Sequence, residues 1–193
     1  YQFSAEELLS ATDENIKIIW LCSPNNPTGN ALNPIEVEKV LQNFQGIVVL
    51  DEAYIDFSSQ PSYLQKLKDY PNMVVLQTFS KAWGSAGVRL GMAFASPDII
   101  SIFNKVKYPY NVNILTQRYA IKLLDNFASV EKKVKEILKN REKLIKSLSK
   151  VMCITEIYPT DANFVLVKTT DADAIYNYLI NKGIVARNRN GIT

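Results

Sequence analysis

Seven polar side chains stand close to the ends of short apolar runs in this chain of 193 residues. They are Asn26, Asp51, Tyr54, Thr78, Ser80, Lys81 and Arg89. Taken singly, each has a plain structural explanation, such as a turn cap, a surface charge or a core tyrosine. The chain contains no histidine, so its own residues cannot form a serine–histidine pair, a cysteine–histidine pair or a histidine-based zinc site. Proton transfer would therefore fall to lysine, tyrosine, cysteine or carboxylate groups.

Taken together, these side chains match what pyridoxal-phosphate chemistry requires. The cofactor's aldehyde needs a lysine amine with which it forms a Schiff base, and Lys81 can supply it. The pyridine nitrogen needs a carboxylate such as Asp51, so that the ring stays an electron sink. The Asn26 amide and the Tyr54 hydroxyl can bond the ring hydroxyl. An arginine fork with hydroxyls nearby binds the phosphate, and the candidates are Arg89, Thr78 and Ser80.

Four apolar runs would have to position these groups, at residues 17–22, 47–50, 73–76 and 90–95. The runs are too short for helices and are apolar on both faces, which is typical of strands in a parallel sheet covered by helices. Ligands of such sheets bind beyond the carboxyl ends of the strands. If the four strands are neighbours, we expect the polar side chains to converge on one crevice.

The second half of the chain has a different pattern. It predicts helices at residues 98–106, 113–127, 129–150 and 171–181, and strands at residues 153–158, 163–167 and 184–187. A long amphipathic helix followed by strands and one more helix is typical of an α+β unit. We therefore expect an α/β fold with a mostly parallel sheet and flanking helices over residues 1–128. A linking helix and a small α+β domain would follow over residues 129–193.

Three short motifs resemble the signature of class I and II aminotransferases of pyridoxal-phosphate fold type I. They are Asn-Pro-Thr-Gly at 26–29, Asp-Glu-Ala-Tyr at 51–54, and Ser80-Lys81 with Arg89 eight residues on. Longer stretches are similar to the histidinol-phosphate aminotransferases within that family, at residues 23–29, 78–91, 109–113, 159–164 and 183–188. The resemblance covers essentially the whole chain and implies part of the large domain and most of the small domain of that fold.

The resemblance implies a role for each motif residue. Lys81 would be the cofactor lysine and the catalytic acid and base, and Asp51 would pair with the pyridine nitrogen. Asn26 and Tyr54 would bond the ring hydroxyl. The residues that would hold the cofactor phosphate are Arg89, Ser80 and Thr78. Arg187 would either lie in the substrate pocket, where these enzymes anchor an anionic group, or be a surface charge at a strand end.

The implied reaction exchanges an amino group between L-histidinol phosphate and 2-oxoglutarate in histidine biosynthesis, in a cytoplasmic homodimer. A pyridoxal-phosphate-dependent decarboxylase of a phosphorylated amino acid, such as threonine phosphate, would use the same lysine, aspartate and arginine. Relative to the family, the N-terminal half with its glycine-rich phosphate turn and ring-stacking aromatic is absent, as is an Arg-Ile-Thr segment that would follow the chain. We therefore expect a fragment, and a catalytically inert fragment is a further interpretation.

The net charge of +3 is concentrated in the predicted helix at residues 129–150. Residues 130–150 hold eight Lys or Arg and three Glu, so the remainder of the chain is slightly acidic. A basic helix that binds a partner is disfavoured because the charges lie opposite an apolar stripe and are interrupted by Glu131, Glu136 and Glu142. We expect no nucleic-acid or membrane partner. Two cysteines are also too few for a cysteine-only zinc site, so no metal is expected.

We expect the isolated 193-residue chain to associate and to bind pyridoxal phosphate weakly. A parallel sheet without its other strands exposes unpaired edges and apolar faces, and the family's phosphate turn and ring-stacking residue are absent. Size-exclusion chromatography and a cofactor titration would check both expectations. A cleanly monomeric elution together with a dissociation constant of about 1 μM or tighter would contradict them.

Overall fold

A four-stranded sheet lies at the centre of the first half of the chain in a computed structural model that describes residues 1–191. Its strands lie side by side in the order β1 (Ile18–Cys22), β2 (Ile47–Asp51), β3 (Met73–Thr78) and β4 (Gly91–Ala95). The first three strands pair in parallel, which confirms the expected α/β fold with a mostly parallel sheet. The division into domains at residue 128 stays a prediction, and the last two residues of the second domain lie outside the described residues.

β4 runs antiparallel to β3, although its sequence on its own predicts a parallel strand. The reason lies in the connection at residues 79–90, whose helical content is a single 3-10 turn at Ala86–Val88. Parallel neighbours need a longer crossover that is usually an α-helix. Because β4 returns directly, it begins at the edge where β3 ends. Arg89, two residues before β4, is thereby placed at the carboxyl ends of β2 and β3.

Two helices, α1 (Ala5–Ser10) and α2 (Pro34–Asn43), cover one face of the sheet. Helix α2 begins at Pro34, and the Asn33 side chain accepts a hydrogen bond from the Ile35 N–H, as expected for an N-cap. Alternate residues of β1, β2 and β3 point into this layer. The buried apolar residues of the layer are Ala5, Ile19, Leu21, Val37, Val40, Leu41, Phe44, Val48, Leu50, Met73 and Val75.

The other face of the sheet is only partly covered. Ile99 of helix α3 (Pro97–Val106) packs against Val49 and Val74. Trp20 of β1 pairs with Val49 in the sheet register, yet 64% of its surface is exposed. Among residues 1–191, no strand pairs with the outer edge of β1. The edge strand β1 therefore presents an open apolar face.

Three helices follow in the second half: α4 (Ile114–Asp125), α5 (Phe127–Leu148) and α6 (Ala172–Asn181). They confirm the predicted helices, and Asn126 separates α4 from α5. A short antiparallel pair follows α5, formed by β5 (Ile154–Ile157) and β6 (Val167–Thr169). Within the described part of the chain, no helix combines the length and the apolar content needed to cross a membrane.

Two of the predicted strands in this half are wrong. Residues 163–166 are not in a strand, and β6 begins only at Val167, because the Phe164 carbonyl accepts a hydrogen bond from the Thr160 side chain instead of from a neighbouring strand. Residues 184–187 form no strand either. Val185 is 83% exposed, so this apolar stretch has neither a pairing strand nor a packed face among the described residues.

The buried side chains of β2 should account for much of the stability of the sheet. Leu50 is 1% exposed, whereas Ile18 on the edge strand is 46% exposed. Leu50→Ala should lower the free energy of unfolding by about 2–5 kcal/mol, because it leaves a cavity in the core. The matched variant Ile18→Ala should cost less than about 1 kcal/mol. Urea unfolding measures both, and equal losses would contradict this assignment of the core.

Candidate active site

The predicted groups meet in a cavity at the carboxyl ends of β2 and β3 and the start of β4. The cavity has a volume of about 390 Å³, which lies in the range of small-molecule sites. Its lining residues are Asp51, Ala53, Leu76, Gln77, Thr78, Ser80, Lys81, Ala86 and Arg89. The structure thus brings five of the seven predicted side chains to one cavity.

Asp51 ends β2 and is held by both neighbouring strands. Its Cα pairs with that of Cys22 in β1 and with that of Leu76 in β3. Its Oδ1 accepts a hydrogen bond of 3.0 Å from the Ala53 N–H, which orients the carboxylate. Burial raises the pKa of the Cys22 thiol, and the charge of Asp51 adds to this increase, while a hydrogen bond from the Asn26 backbone opposes it. Cys22 is therefore a protonated thiol beside the Asp51 carboxylate.

Asn26 and Tyr54 lie beside the cavity and connect to it through Lys81. The Asn26 Nδ2 donates a hydrogen bond of 3.0 Å to the Tyr54 hydroxyl oxygen. The Lys81 Nζ lies 5.2 Å from the centroid of the Tyr54 ring, which is a cation–π distance. Tyr54 is buried and Asn26 is exposed. The two side chains predicted to share one ligand hydroxyl are therefore hydrogen-bonded to each other, and Tyr54 also lies next to the lysine.

Lys81 lies on a tight turn that follows β3. The Ser80 N–H donates to the Thr78 Oγ1 at 3.0 Å, and the Gly84 N–H donates to the Lys81 carbonyl at 3.0 Å. These bonds fix the backbone while the Lys81 side chain stays exposed. The Thr78 hydroxyl also donates to the Leu90 carbonyl at 3.4 Å. The Thr78 hydroxyl is therefore hydrogen-bonded to two backbone groups, the Ser80 N–H and the Leu90 carbonyl.

Arg89 gives the cavity a positive character. It adopts a left-handed backbone conformation with φ of +54°, which is uncommon for a residue other than glycine and is often found at functional sites. Its Nη1 donates to the Ala86 carbonyl at 2.9 Å. Within residues 1–191, neither Lys81, Asp51 nor Arg89 takes part in an ion pair. Two cations and one carboxylate therefore face a cavity that suits an anionic ligand.

The structure does not bring Arg187 to this cavity. Arg187 is exposed in the irregular segment after α6, and the lining residues found in the described part of the chain end at Arg89. Its role as a substrate anchor stays a prediction.

Glu52 is a buried carboxylate that the sequence analysis did not single out. It is 2% exposed. Its Oε2 accepts hydrogen bonds from the Ser62 hydroxyl at 2.6 Å and from the Gln77 amide at 2.9 Å, and its Oε1 accepts one from the Tyr63 N–H at 2.7 Å. Glu52 thus joins the loop after β2 to the cavity wall at Gln77. The sequence does place Glu52, a charged residue, directly after a buried strand. The adjacent Asp51 accounts for the same pattern, so the pattern alone does not point to Glu52.

A second unassigned contact joins residues 159–164 to the site. Phe164 packs edge-on against Tyr54, with ring centroids 5.2 Å apart. Asp161 Oδ2 accepts a hydrogen bond of 2.8 Å from the Ala31 N–H, across 130 residues of sequence. In the sequence, this stretch shows only a family resemblance, because no local pattern indicates a contact at such a separation.

Comparisons with known proteins agree with this geometry. The family model described as "Aminotransferase class I and II" matches residues 1–193. A histidinol-phosphate aminotransferase of Bacteroides thetaiotaomicron is 56% identical over 193 residues, which are 100% of this chain and 56% of that protein. The chain therefore spans about half the length of this curated relative.

Two solved structures share the fold. The histidinol-phosphate aminotransferase of Sinorhizobium meliloti, crystallised in complex with pyridoxal-5'-phosphate, superposes with a TM-score of 0.85 and 28% identity over 95% of this chain and 52% of that one. The L-threonine-O-3-phosphate decarboxylase of Porphyromonas gingivalis superposes with a TM-score of 0.82 and 25% identity over 98% of this chain and 60% of that one.

The loop that carries Asn26 depends on a glycine with two constraints. Gly29 has φ of +87°, and a Cβ built on it would lie 2.6 Å from the Thr160 Oγ1. Gly84 also has a positive φ, +63°, but a Cβ there meets no atom within 4 Å. Gly84→Ala should cost about 1–2 kcal/mol through its backbone alone. Gly29→Ala should cost about 1–3 kcal/mol more, because of the added contact. Thermal or urea unfolding compares the two variants, and equal losses would show that the contact with Thr160 is not tight.

Proposed function

This chain belongs to the class I and II aminotransferase family, and from that membership we propose that it carries the catalytic lysine of a pyridoxal-phosphate-dependent aminotransferase. The proposed reaction exchanges an amino group between L-histidinol phosphate and 2-oxoglutarate. The observation that carries the proposal is the convergence of Lys81, Asp51 and Arg89 on one cavity. The relative that is 56% identical over this chain supports the choice of reaction. Because the chain spans about half of that relative, we propose the activity for the whole protein.

The cavity fits pyridoxal phosphate in size, charge and donor set. Its volume is about 390 Å³, and its wall holds a lysine, an arginine and an aspartate. Arg89 with the Ser80 hydroxyl would hold the phosphate, Asp51 would hold the ring nitrogen and its proton, and the Asn26–Tyr54 pair would bond the ring hydroxyl. When bound, the cofactor supplies an electron-withdrawing ring that makes a proton on the substrate's amino-bearing carbon removable.

Lys81 would bind the cofactor and then move the proton. Its Nζ is the primary amine that would hold the cofactor through its aldehyde carbon, with the aldehyde oxygen leaving as water, and it would be released when the amine of the substrate takes its place. The released amine accepts a proton in its neutral form and returns it in its charged form. The Tyr54 ring, 5.2 Å away, would keep the released amine beside the cavity. Lys81 supplies the amine on the cavity wall and is therefore the proposed proton carrier.

Three further features of the whole protein belong to the proposal. Helix α4 exposes a row of apolar side chains, with Leu115 72% and Leu124 55% exposed, which favours a homodimer as the form that would cover them. Arg187 would anchor the anionic end of a substrate. The cytoplasm is the proposed location, because the substrates of amino-acid biosynthesis are found there.

Decarboxylation of a phosphorylated amino acid is the second candidate, because the structure also superposes on the threonine-phosphate decarboxylase at 25% identity. The 56% identity to the histidinol-phosphate aminotransferase favours amino transfer. An assay of the whole protein separates them. We expect glutamate formation from L-histidinol phosphate and 2-oxoglutarate. Carbon dioxide release from threonine phosphate, without consumption of 2-oxoglutarate, would overturn the proposal in favour of the decarboxylase.

Replacing Lys81 should remove both cofactor attachment and activity. Lys81→Ala should lower kcat by at least about 10²–10⁴-fold, the usual contribution of a general acid and base. Borohydride reduction of the wild-type holoenzyme followed by peptide mass spectrometry should find the cofactor mass on the peptide that contains Lys81. The matched variant Lys139→Ala, at an exposed lysine of α5, should change neither result. Full activity in Lys81→Ala, or a label on another lysine, would contradict the assignment.

A further inference from the structure

Residues 159–164, here called the clasp segment, bind the loop at residues 25–31 that carries Asn26. The Asp161 N–H donates to the Gly29 carbonyl at 2.7 Å. In return, the Ala31 N–H donates to the Asp161 Oδ2 at 2.8 Å. Ala31 is 5% exposed, so its N–H needs this partner, because a buried backbone donor without one is costly. One aspartate thus binds the loop at two points, Gly29 and Ala31.

The clasp segment is itself rigid. The Thr160 Oγ1 accepts from the Ala162 N–H at 3.1 Å and donates to the Phe164 carbonyl at 2.7 Å. Helix α5 supports it from behind, because the Arg141 Nη1 donates to the Ala162 carbonyl at 2.7 Å. A rigid segment can impose a position on the loop that it binds.

The same segment also contacts Tyr54. The Phe164 ring meets the Tyr54 ring edge-on, at 85° with centroids 5.2 Å apart. Ala162 is fully buried in one cluster with Tyr54 and Ala82, the residue after Lys81. The clasp segment therefore contacts Tyr54 directly and also binds the loop that carries Asn26, the partner of Tyr54 in a hydrogen bond.

We propose that Asp161 is a positioning residue that sets where the Asn26 amide stands relative to the Tyr54 hydroxyl. This inference rests on the proposed function. It means that Asp161, which follows α5 in the sequence, aligns the two groups that would bond the cofactor's ring hydroxyl. Asp161 acts through the Gly29 carbonyl and the Ala31 N–H and does not line the cavity. Its side chain serves as an oxygen acceptor, so an asparagine can replace it where an alanine cannot.

Three variants of the whole protein test the proposal. Asp161→Ala removes the acceptor, and Asp161→Asn keeps an oxygen in its place. Asp171→Ala is the matched control, because Asp171 accepts a hydrogen bond of 2.9 Å from the Ala174 N–H at the start of α6. It removes a comparable bond to a backbone N–H within the same C-terminal unit and leaves the loop at residues 25–31 untouched.

Amide hydrogen exchange without cofactor gives a readout that is independent of the reaction. The Ala31 amide should exchange about tenfold faster in Asp161→Ala, the effect of losing one hydrogen bond, and within about threefold of wild type in Asp161→Asn and Asp171→Ala. Titration with pyridoxal phosphate should show about tenfold weaker binding for Asp161→Ala and recovery in Asp161→Asn.

The outcomes separate this inference from the proposed function. Unchanged exchange at Ala31 in Asp161→Ala, or equal weakening of cofactor binding in Asp171→Ala, would overturn the positioning role. If Asp161→Ala does not fold, failure of Asp161→Asn to keep wild-type exchange and cofactor binding would overturn it in the same way. A wild-type protein that binds no pyridoxal phosphate would overturn the proposed function, whatever the exchange rates show.

Discussion

The register in which β1, β2, β3 and β4 pair is the constraint on which the rest of the site depends. Three parallel strands and one antiparallel return place three loops, the last of which carries Arg89, at a single edge of the sheet. Asp51 thereby lies between Cys22 and Leu76, and Thr78 lies opposite Gly91. A slip of one residue would turn every side chain of a strand to the opposite face and would disperse the cavity wall. The packed layer under α1 and α2 holds this register.

Rigidity and charge come from different parts of that edge. Buried groups supply the rigidity: Glu52 ties the loop after β2 to Gln77 of β3, and Tyr54 is packed beneath Lys81. The charges of Lys81 and Arg89 stand on exposed turns, where a ligand can reach them. The clasp segment adds a third support. The cavity is therefore a joint product of elements that are far apart in the sequence.

Local patterns were enough to predict the four apolar strands of the sheet, the helices and the polar groups that line the cavity. Short apolar runs with polar ends can be recognised within a few residues of sequence. The direction of β4 was not predictable in this way, because it depends on the length and use of the connection before it. Residues 163–166 form no strand, since the Phe164 carbonyl is bonded to the Thr160 side chain, and Val185 in the stretch 184–187 pairs with no strand among residues 1–191. The role of Asp161 was not predictable from local patterns either, because its contact with Ala31 spans 130 residues.

The proposal that one edge of this sheet is a cofactor site is best tested by a crystal structure of the whole protein grown with pyridoxal 5'-phosphate. We expect the cofactor phosphate within hydrogen-bond distance of the Arg89 guanidinium. We also expect the ring nitrogen within hydrogen-bond distance of the Asp51 carboxylate and a covalent bond from the Lys81 Nζ to the cofactor's aldehyde carbon. A cofactor bound elsewhere, or one bound here through a different lysine, would contradict it.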